Sequence, residues 1–493
     1  MLKPLTPGRW DYSTAAHLLN RAGFGGTPSE IDKLVALGHE AAVSYLVDFE
    51  KTADPTPDPD WAHPDPERAE RRKTMRTATQ EVRQQMQKDE RQQEQQRIQE
   101  LRGWWLQRMA KGPRPFQEKM TLFWHGHFAT SFEKVRDSYY MWRQNELFRR
   151  SATGNWRDLL IEAGKDPAML VWLDQAQSRK DHPNENFARE VMELFALGEG
   201  HYTEKDITEA ARALTGWSLD QEQQKFVWRP AIHDNGDKTV LGRSGNLDGD
   251  DFLGQIVAQP QSAIFITAKL WNFFAGEMPS PELNAALADF FRRSGNNFKP
   301  LMRVMFSVEE FYSPSIIRNE IKSPVQWLIG SVRMLECELP PPLVSTNLLR
   351  SLGQDIFAPP NVKGWDGGIA WITTNNLIAR YNQSALLAQG DMAVAASLAT
   401  GPNKNPARVK QIQNRMRNMR AGGVDVTKLF TEEERNNKEL LADALQKRLL
   451  QTTLAGTRKK ALSEFLDGKT DLDESDIRDA IRLVMSTQEY QVT

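Results

Sequence analysis

Two carboxylates three residues apart carry the densest candidate chemistry in the chain. Glu190 and Glu193 lie within Asn184-Glu185-Asn186-Phe187-Ala188-Arg189-Glu190-Val191-Met192-Glu193-Leu194-Phe195-Ala196-Leu197-Gly198. An asparagine able to cap and a glycine able to close bound this run, so it reads as a helix. At about 100° per residue, Phe187, Ala188, Val191, Leu194 and Phe195 share one apolar face that packs. Asn186, Glu190, Glu193 and Leu197 fall on an adjoining stripe spanning about 60°, with Arg189 beside it. Two carboxylates at i,i+3 on a half-buried stripe can share a cation, or one can keep a raised pKa and act as general acid or base. The structural alternative is that Glu185–Arg189 and Arg189–Glu193, both at i,i+4, are ordinary helix salt bridges.

Histidines supply the second set of candidates. Phe123-Trp124-His125-Gly126-His127-Phe128 places two of the eight histidines two residues apart. In extended chain both rings face one way and could bind one metal ion, whereas in a helix they diverge by about 200°. The flank from Pro115 to Leu122 reads as helical, which sends His125 and His127 to different neighbours. His233-Asp234 adds a third imidazole and a further carboxylate at the start of a loop. Asn246, Asp248 and Asp250 alternate as in a calcium loop, but glycine stands at 249 and the twelfth position is Val257, so an EF-hand is rejected in favour of aspartate capping.

Assembled from these segments, the site would be that of a metal-assisted hydrolase. His125, His127 and His233 would hold a divalent ion, Glu190, Glu193, Arg189 and Asp234 would be catalytic, and Asn186, Trp217, Lys363 and Trp365 would contact substrate. The rival reading is a non-catalytic binding or assembly factor that holds a partner through a polar arm and tryptophan surfaces. No Gly-rich phosphate loop, serine elbow or His-Glu-x-x-His run occurs, which disfavours nucleotide hydrolysis and thermolysin-like proteolysis.

The elements that must position these groups are mainly α. Residues 1–52 read as N-terminal helices of the core, with Ser29 capping the second. Residues 53–102 hold a linker with five prolines between 53 and 66, then a long, solvated, charge- and glutamine-rich helical arm. Residues 103–400 form the main helical core, interrupted by a short β-hairpin or ordered loop between Phe226 and Leu253 and by the glycine-rich stretch Phe357 to Gly368. A polar, basic segment from Gly401 to Gly423 leads into a C-terminal helical segment within 401–493, where Thr431 and Glu434 have capping-box spacing.

Composition sets the outer bounds. The 493 residues carry 63 Lys+Arg against 65 Asp+Glu, a formal charge of −2, so no whole-protein field favours nucleic acid or an anionic membrane. A single cysteine, Cys337, excludes an intrachain disulfide and a finger-type zinc site. The first residues lack the apolar run of a signal peptide or membrane span, so as written the chain is expected in the cytoplasm, and export would follow only from a longer start.

Six segments together resemble a large bacterial family known as domain of unknown function 1800. They are AAHLLNRAGFGGTPSEID, KMTLFWHGHFATS, NENFAREVMELFALGEGHYTEKDITEAARALTGW, HDNGDKTVLGRSGNLDGDD, SPVQWLIGSVRML and APPNVKGWDGGIAWI, running in the family's order from about residue 14 to 385. The resemblance implies a mostly helical single core, often encoded beside a protein that looks like a relative of alkaline phosphatases and sulfatases, hence a partner of that kind. Many relatives carry export signals, from which this chain departs, and the charged arm at 67–100 looks like an insertion.

Overall fold

Helix signals along the chain are converted into helices with few exceptions, and the exceptions fall where glycine or a capping side chain intervenes. The computed structural model describes residues 2–400, 410 and 423–493; of the basic segment Gly401 to Gly423, all but Lys410 and Gly423 lie outside the described residues. The first long helix, Tyr12–Ala22, opens on a capping box between Asp11 and Thr14. The second, Pro28–Leu37, is capped by Thr27, whose hydroxyl accepts the Glu30 N–H while Glu30 reaches back. Ser29, expected as the cap, is instead the second residue of the helix and shares a hydrogen bond with Thr27.

The arm is a helical hairpin rather than one rod. Its first helix, Arg68–Thr77, stops at Ala78, and Thr79 opens a 32-residue helix, Gln80–Lys111, by accepting the Val82 N–H. At 1.5 Å per residue the second helix is about 48 Å long. Its first half is solvated, but Ile98, Leu101, Trp105, Leu106 and Met109 return at helical spacing and are buried. A solvated arm is thereby rooted in the core. Glu118 fixes the root: its carboxylate accepts from Trp105 Nε1 at 2.8 Å, Arg108 Nε at 3.1 Å and Arg149 Nε at 2.7 Å. Burial pushes this carboxyl up, yet Arg149 and Arg108 hold it below its ordinary value.

Two short antiparallel ribbons interrupt the helices. Strands β1 (Trp217–Asp220) and β2 (Lys225–Trp228) pair with Trp217 opposite Trp228, and β3 (Lys238–Val240) pairs with β4 (Arg243–Gly245). The sequence pointed to a single hairpin beyond Phe226. The first ribbon begins earlier because Gly216, at φ 89°, turns the chain out of the preceding helix, and Trp217 then packs edge-on against Phe226.

Buried apolar residues form two large clusters. One joins the N-terminal helices to Trp124, Trp156 and the run Phe187–Leu197. The other joins the arm root, the helix Pro324–Met334 and the C-terminal helices. The histidine-bearing helix Pro115–His127 contributes to both, with Trp124 in the first and Leu122 in the second. Asp248 caps the helix Gly249–Ala258 and Thr431 with Glu434 forms a capping box, both as their spacing predicts. Among the described residues, no helix is long and apolar enough to cross a membrane.

Candidate functional site

The stripe helix forms as its sequence predicts and then changes pitch. Asn184 caps Glu185–Glu190 by accepting the Phe187 N–H, and Val191–Ala196 continues as one wide π-helical turn. Such turns are rare and leave carbonyls without regular partners. Here side chains from other helices take them up: Lys269 Nζ donates to the Leu194 carbonyl at 3.2 Å, His127 Nε2 to Phe195 at 2.9 Å and Gln261 Nε2 to Leu197 at 3.0 Å.

The histidines are thus distributed among three environments rather than gathered around one ion. His127 is buried as a neutral ring whose Nε2 carries the proton, with burial first and Lys269 second holding its pKa well below the usual value. His125 takes the opposite tautomer, since its Nε2 accepts the Phe357 N–H at 3.0 Å, and burial followed by Arg102 lowers it to about 3. His233 donates from Nδ1 to the Thr215 carbonyl at 2.7 Å, and its ring lies 4.7 Å from that of Trp228 at a tilt. Adjacent Asp234 is held by Arg212 at 2.7 Å, the main reason its carboxyl stays below the ordinary range. Among the described residues, no group of three or more His, Cys, Asp or Glu side chains is arranged to hold a metal ion. The physical reason for the histidine pair is the one the helix geometry gives: residues two apart on a helix point to different sides.

The glycine-rich loop packs on the end of the histidine helix, whose His127 also holds the π turn of the stripe. Gly364, at φ 86°, lies directly over the carbonyl of Gly126 at the end of the histidine helix. Phe357 adopts φ 63°, an outlier for a bulky residue, and its backbone is clamped on both sides: its N–H by His125 and its carbonyl by the Phe132 N–H at 2.8 Å. Arg102 from the arm root adds a bond to the Ile356 carbonyl and an ion pair with Asp355. The ring of Trp365 lies 5.7 Å from that of His125. This bracing leaves Trp365 half-buried and Lys363 exposed, close enough to Glu190 for its ammonium to bias the carboxyl.

Glu190 is half-buried, and burial together with neighbouring Glu193 raises its pKa, with Lys363 and Arg189 opposing. Glu193 accepts a hydrogen bond from Tyr202 at 3.0 Å, and burial and that bond push the phenol up to about 12. Arg189 makes neither of the expected i,i+4 bridges. It reaches across to Glu204 in a bidentate pair at 2.8 and 2.7 Å, while Glu185 accepts from Thr208. Among the described residues neither stripe carboxylate forms an ion pair with arginine, although Arg189 still acts on Glu190 through space. Asn186 is exposed at the start of the stripe. Trp217 is a core residue, 2% exposed, against Gly249 and Gly164 rather than on this surface.

Tyr202 and Lys269 escaped the sequence reading. Lys269 left a signal: it is the lone charge in Ala263-Ile264-Phe265-Ile266-Thr267-Ala268-Lys269-Leu270-Trp271-Asn272-Phe273-Phe274, and burial lowers its ammonium to about 8. Tyr202 left none, because its contact depends on the turn after Gly198.

A mainly helical protein with a carboxylate stripe facing a braced loop is the class that fold and surface define. The chain belongs to the family described as protein of unknown function (DUF1800), whose profile matches residues 17–492. No curated protein and no solved structure matches it.

Proposed function

We propose that the Glu190–Glu193 stripe and the Lys363–Trp365 loop form the functional site of a hydrolase working by general acid–base chemistry on a polar substrate. In this reading the Glu190 carboxyl, its pKa raised so that it can carry a proton, gives that proton to the leaving group as the scissile bond breaks, and recovers one from the water that adds. Glu193, oriented by Tyr202, lies beside it on the stripe, Lys363 attracts an anionic or carbonyl oxygen of the substrate, and Trp365 offers a flat apolar contact. What supports the reading is a half-buried carboxyl raised by burial and a like charge and opposed by the ammonium of Lys363, which comes from the loop that begins at Phe357.

The test is a screen of purified full-length protein against nitrophenyl esters, phosphates and glycosides, alongside Glu190→Gln. Turnover of one class that falls at least about a hundredfold in the variant, as for loss of a general acid, supports the reading. Absence of turnover across the screen, or a variant as active as the parent, overturns it. The metal-assisted version differs in requiring a divalent ion held by Glu190 and Glu193 with water, and elemental analysis of the same preparation separates the two.

A second reading, a binding or assembly factor for a phosphatase- or sulfatase-like protein, draws support from the projecting arm. Co-purification of such a partner, lost on trimming the solvated part of the hairpin, would favour it.

A further inference from the structure

The arm encloses a large groove, and nothing in the acid–base reading uses it. Its two helices splay apart around a groove of about 1080 Å³, beyond what one or two side chains could fill. One wall, from the helix Arg68–Thr77, presents Arg68, Arg71, Arg72 and Arg76, and Arg83 adds a fifth guanidinium near the hairpin turn. Arg68 is engaged by Asp137 and Arg71 by Asp65, both at the arm's base. Arg83 donates to the Met75 and Ala78 carbonyls and so closes the turn. Arg72 and Arg76 form no ion pair among the described residues and line the groove midway.

The floor is different in kind. Met75 and Met86 face the groove from the two helices and are both half-buried. Methionine is flexible and polarisable, suited to an apolar surface of variable shape. The opposite wall carries Asp89 and Glu90, and the lining contains no aromatic side chain. A nucleic-acid strand would find no stacking platform for its bases, so the groove is ill suited to it.

We propose that this groove is a docking site for an acidic amphipathic helix of a partner protein, whose apolar side rests on Met75 and Met86 and whose carboxylates meet Arg72 and Arg76. The match is one of pattern as well as charge: a third helix laid between two splayed helices buries its apolar stripe while its acidic flank turns to the arginine wall. This inference does not rest on the Glu190 site.

The experiment is fluorescence anisotropy on the full chain with a labelled synthetic peptide that has leucines at i, i+3, i+4 and i+7 and glutamates between them. Controls are the same peptide with glutamine for glutamate and a single-stranded DNA oligonucleotide of equal charge. Saturable binding of the acidic peptide is expected, weakened at least about tenfold in the double variant Arg72→Glu, Arg76→Glu, and by added salt. Both positions are on the solvated hairpin, and an unchanged thermal melt of the variant verifies its fold. The proposal is overturned if the acidic peptide fails to bind, if the glutamine peptide binds equally well, if the double variant binds as the parent does, or if the oligonucleotide binds more tightly than the peptide.

Discussion

Gly364 and Gly126 touch backbone to backbone: a Cβ built on Gly364 would stand 2.5 Å from the Gly126 carbonyl oxygen. That contact sets the height of the glycine-rich loop above the end of the histidine helix, and therefore where Lys363 stands relative to Glu190.

Gly364→Ala should lift the loop without unfolding the core. The left-handed φ of 86° and the collision together are expected to cost about 1–3 kcal/mol. Urea unfolding measures that loss, and quenching of Trp365 fluorescence by acrylamide should rise as the loop detaches. A variant with parental stability and quenching would show that the loop is not held by this contact.

Removing the charge at the arm root should be far more damaging. Glu118 is 2% exposed and compensates Arg108 and Arg149 inside the protein. Glu118→Gln leaves Arg108 with Asp54 and Arg149 with the more exposed Glu146 as remaining counter-charges, and a loss of about 3–5 kcal/mol is expected from urea unfolding. A loss comparable to that of an exposed substitution would show that Arg108 draws its compensation from Asp54 instead.

Buried neutral histidines make the fold sensitive to acid. His125 has its folded pKa lowered to about 3, and His127 and His17 are held well below the ordinary value, all three chiefly by burial. The unfolded chain takes up protons on these rings below about pH 6.5 while the folded chain does not, so stability falls as the pH drops from there toward 3, by about 1.4 kcal/mol per pH unit for each ring. Asp166 has the opposite sign: burial raises it to about 7, so the folded state keeps a proton that the unfolded state loses from about pH 4 upward, and stability declines as pH rises through that interval. Thermal melts from pH 4 to 8 should show His127→Gln less acid-sensitive than the parent and Asp166→Asn gaining most near pH 8. Parallel pH profiles for all three proteins would contradict these assignments.

Much of the fold was legible in local chemistry. Asn184, Asp248 and the Thr431–Glu434 box cap the helices their spacing predicts, because a short side chain satisfying orphan N–H groups is a local event. Ser29 lost the cap to Thr27 since both spacings lie within one turn and only Thr27 has Glu30 three residues on. The stripe was readable to Glu190 and less so afterwards, as a π turn leaves no periodic signature in six residues. The histidines could not be placed from sequence, because their partners are backbone groups: the carbonyls of Phe195 and Thr215 and the N–H of Phe357. Arg189 shows the same limit, choosing Glu204 on the next helix over two partners one turn away.

The account turns on the Glu190 carboxyl being coupled to Glu193 and to Lys363 across the loop. Carbon-detected NMR titration of side-chain carboxyls, assigned by difference with Glu190→Gln, reads that coupling directly. Glu190 should titrate above an ordinary glutamate, shift further up in Lys363→Met and shift down in Glu193→Gln. A Glu190 that titrates as a free glutamate and ignores both substitutions would contradict the account.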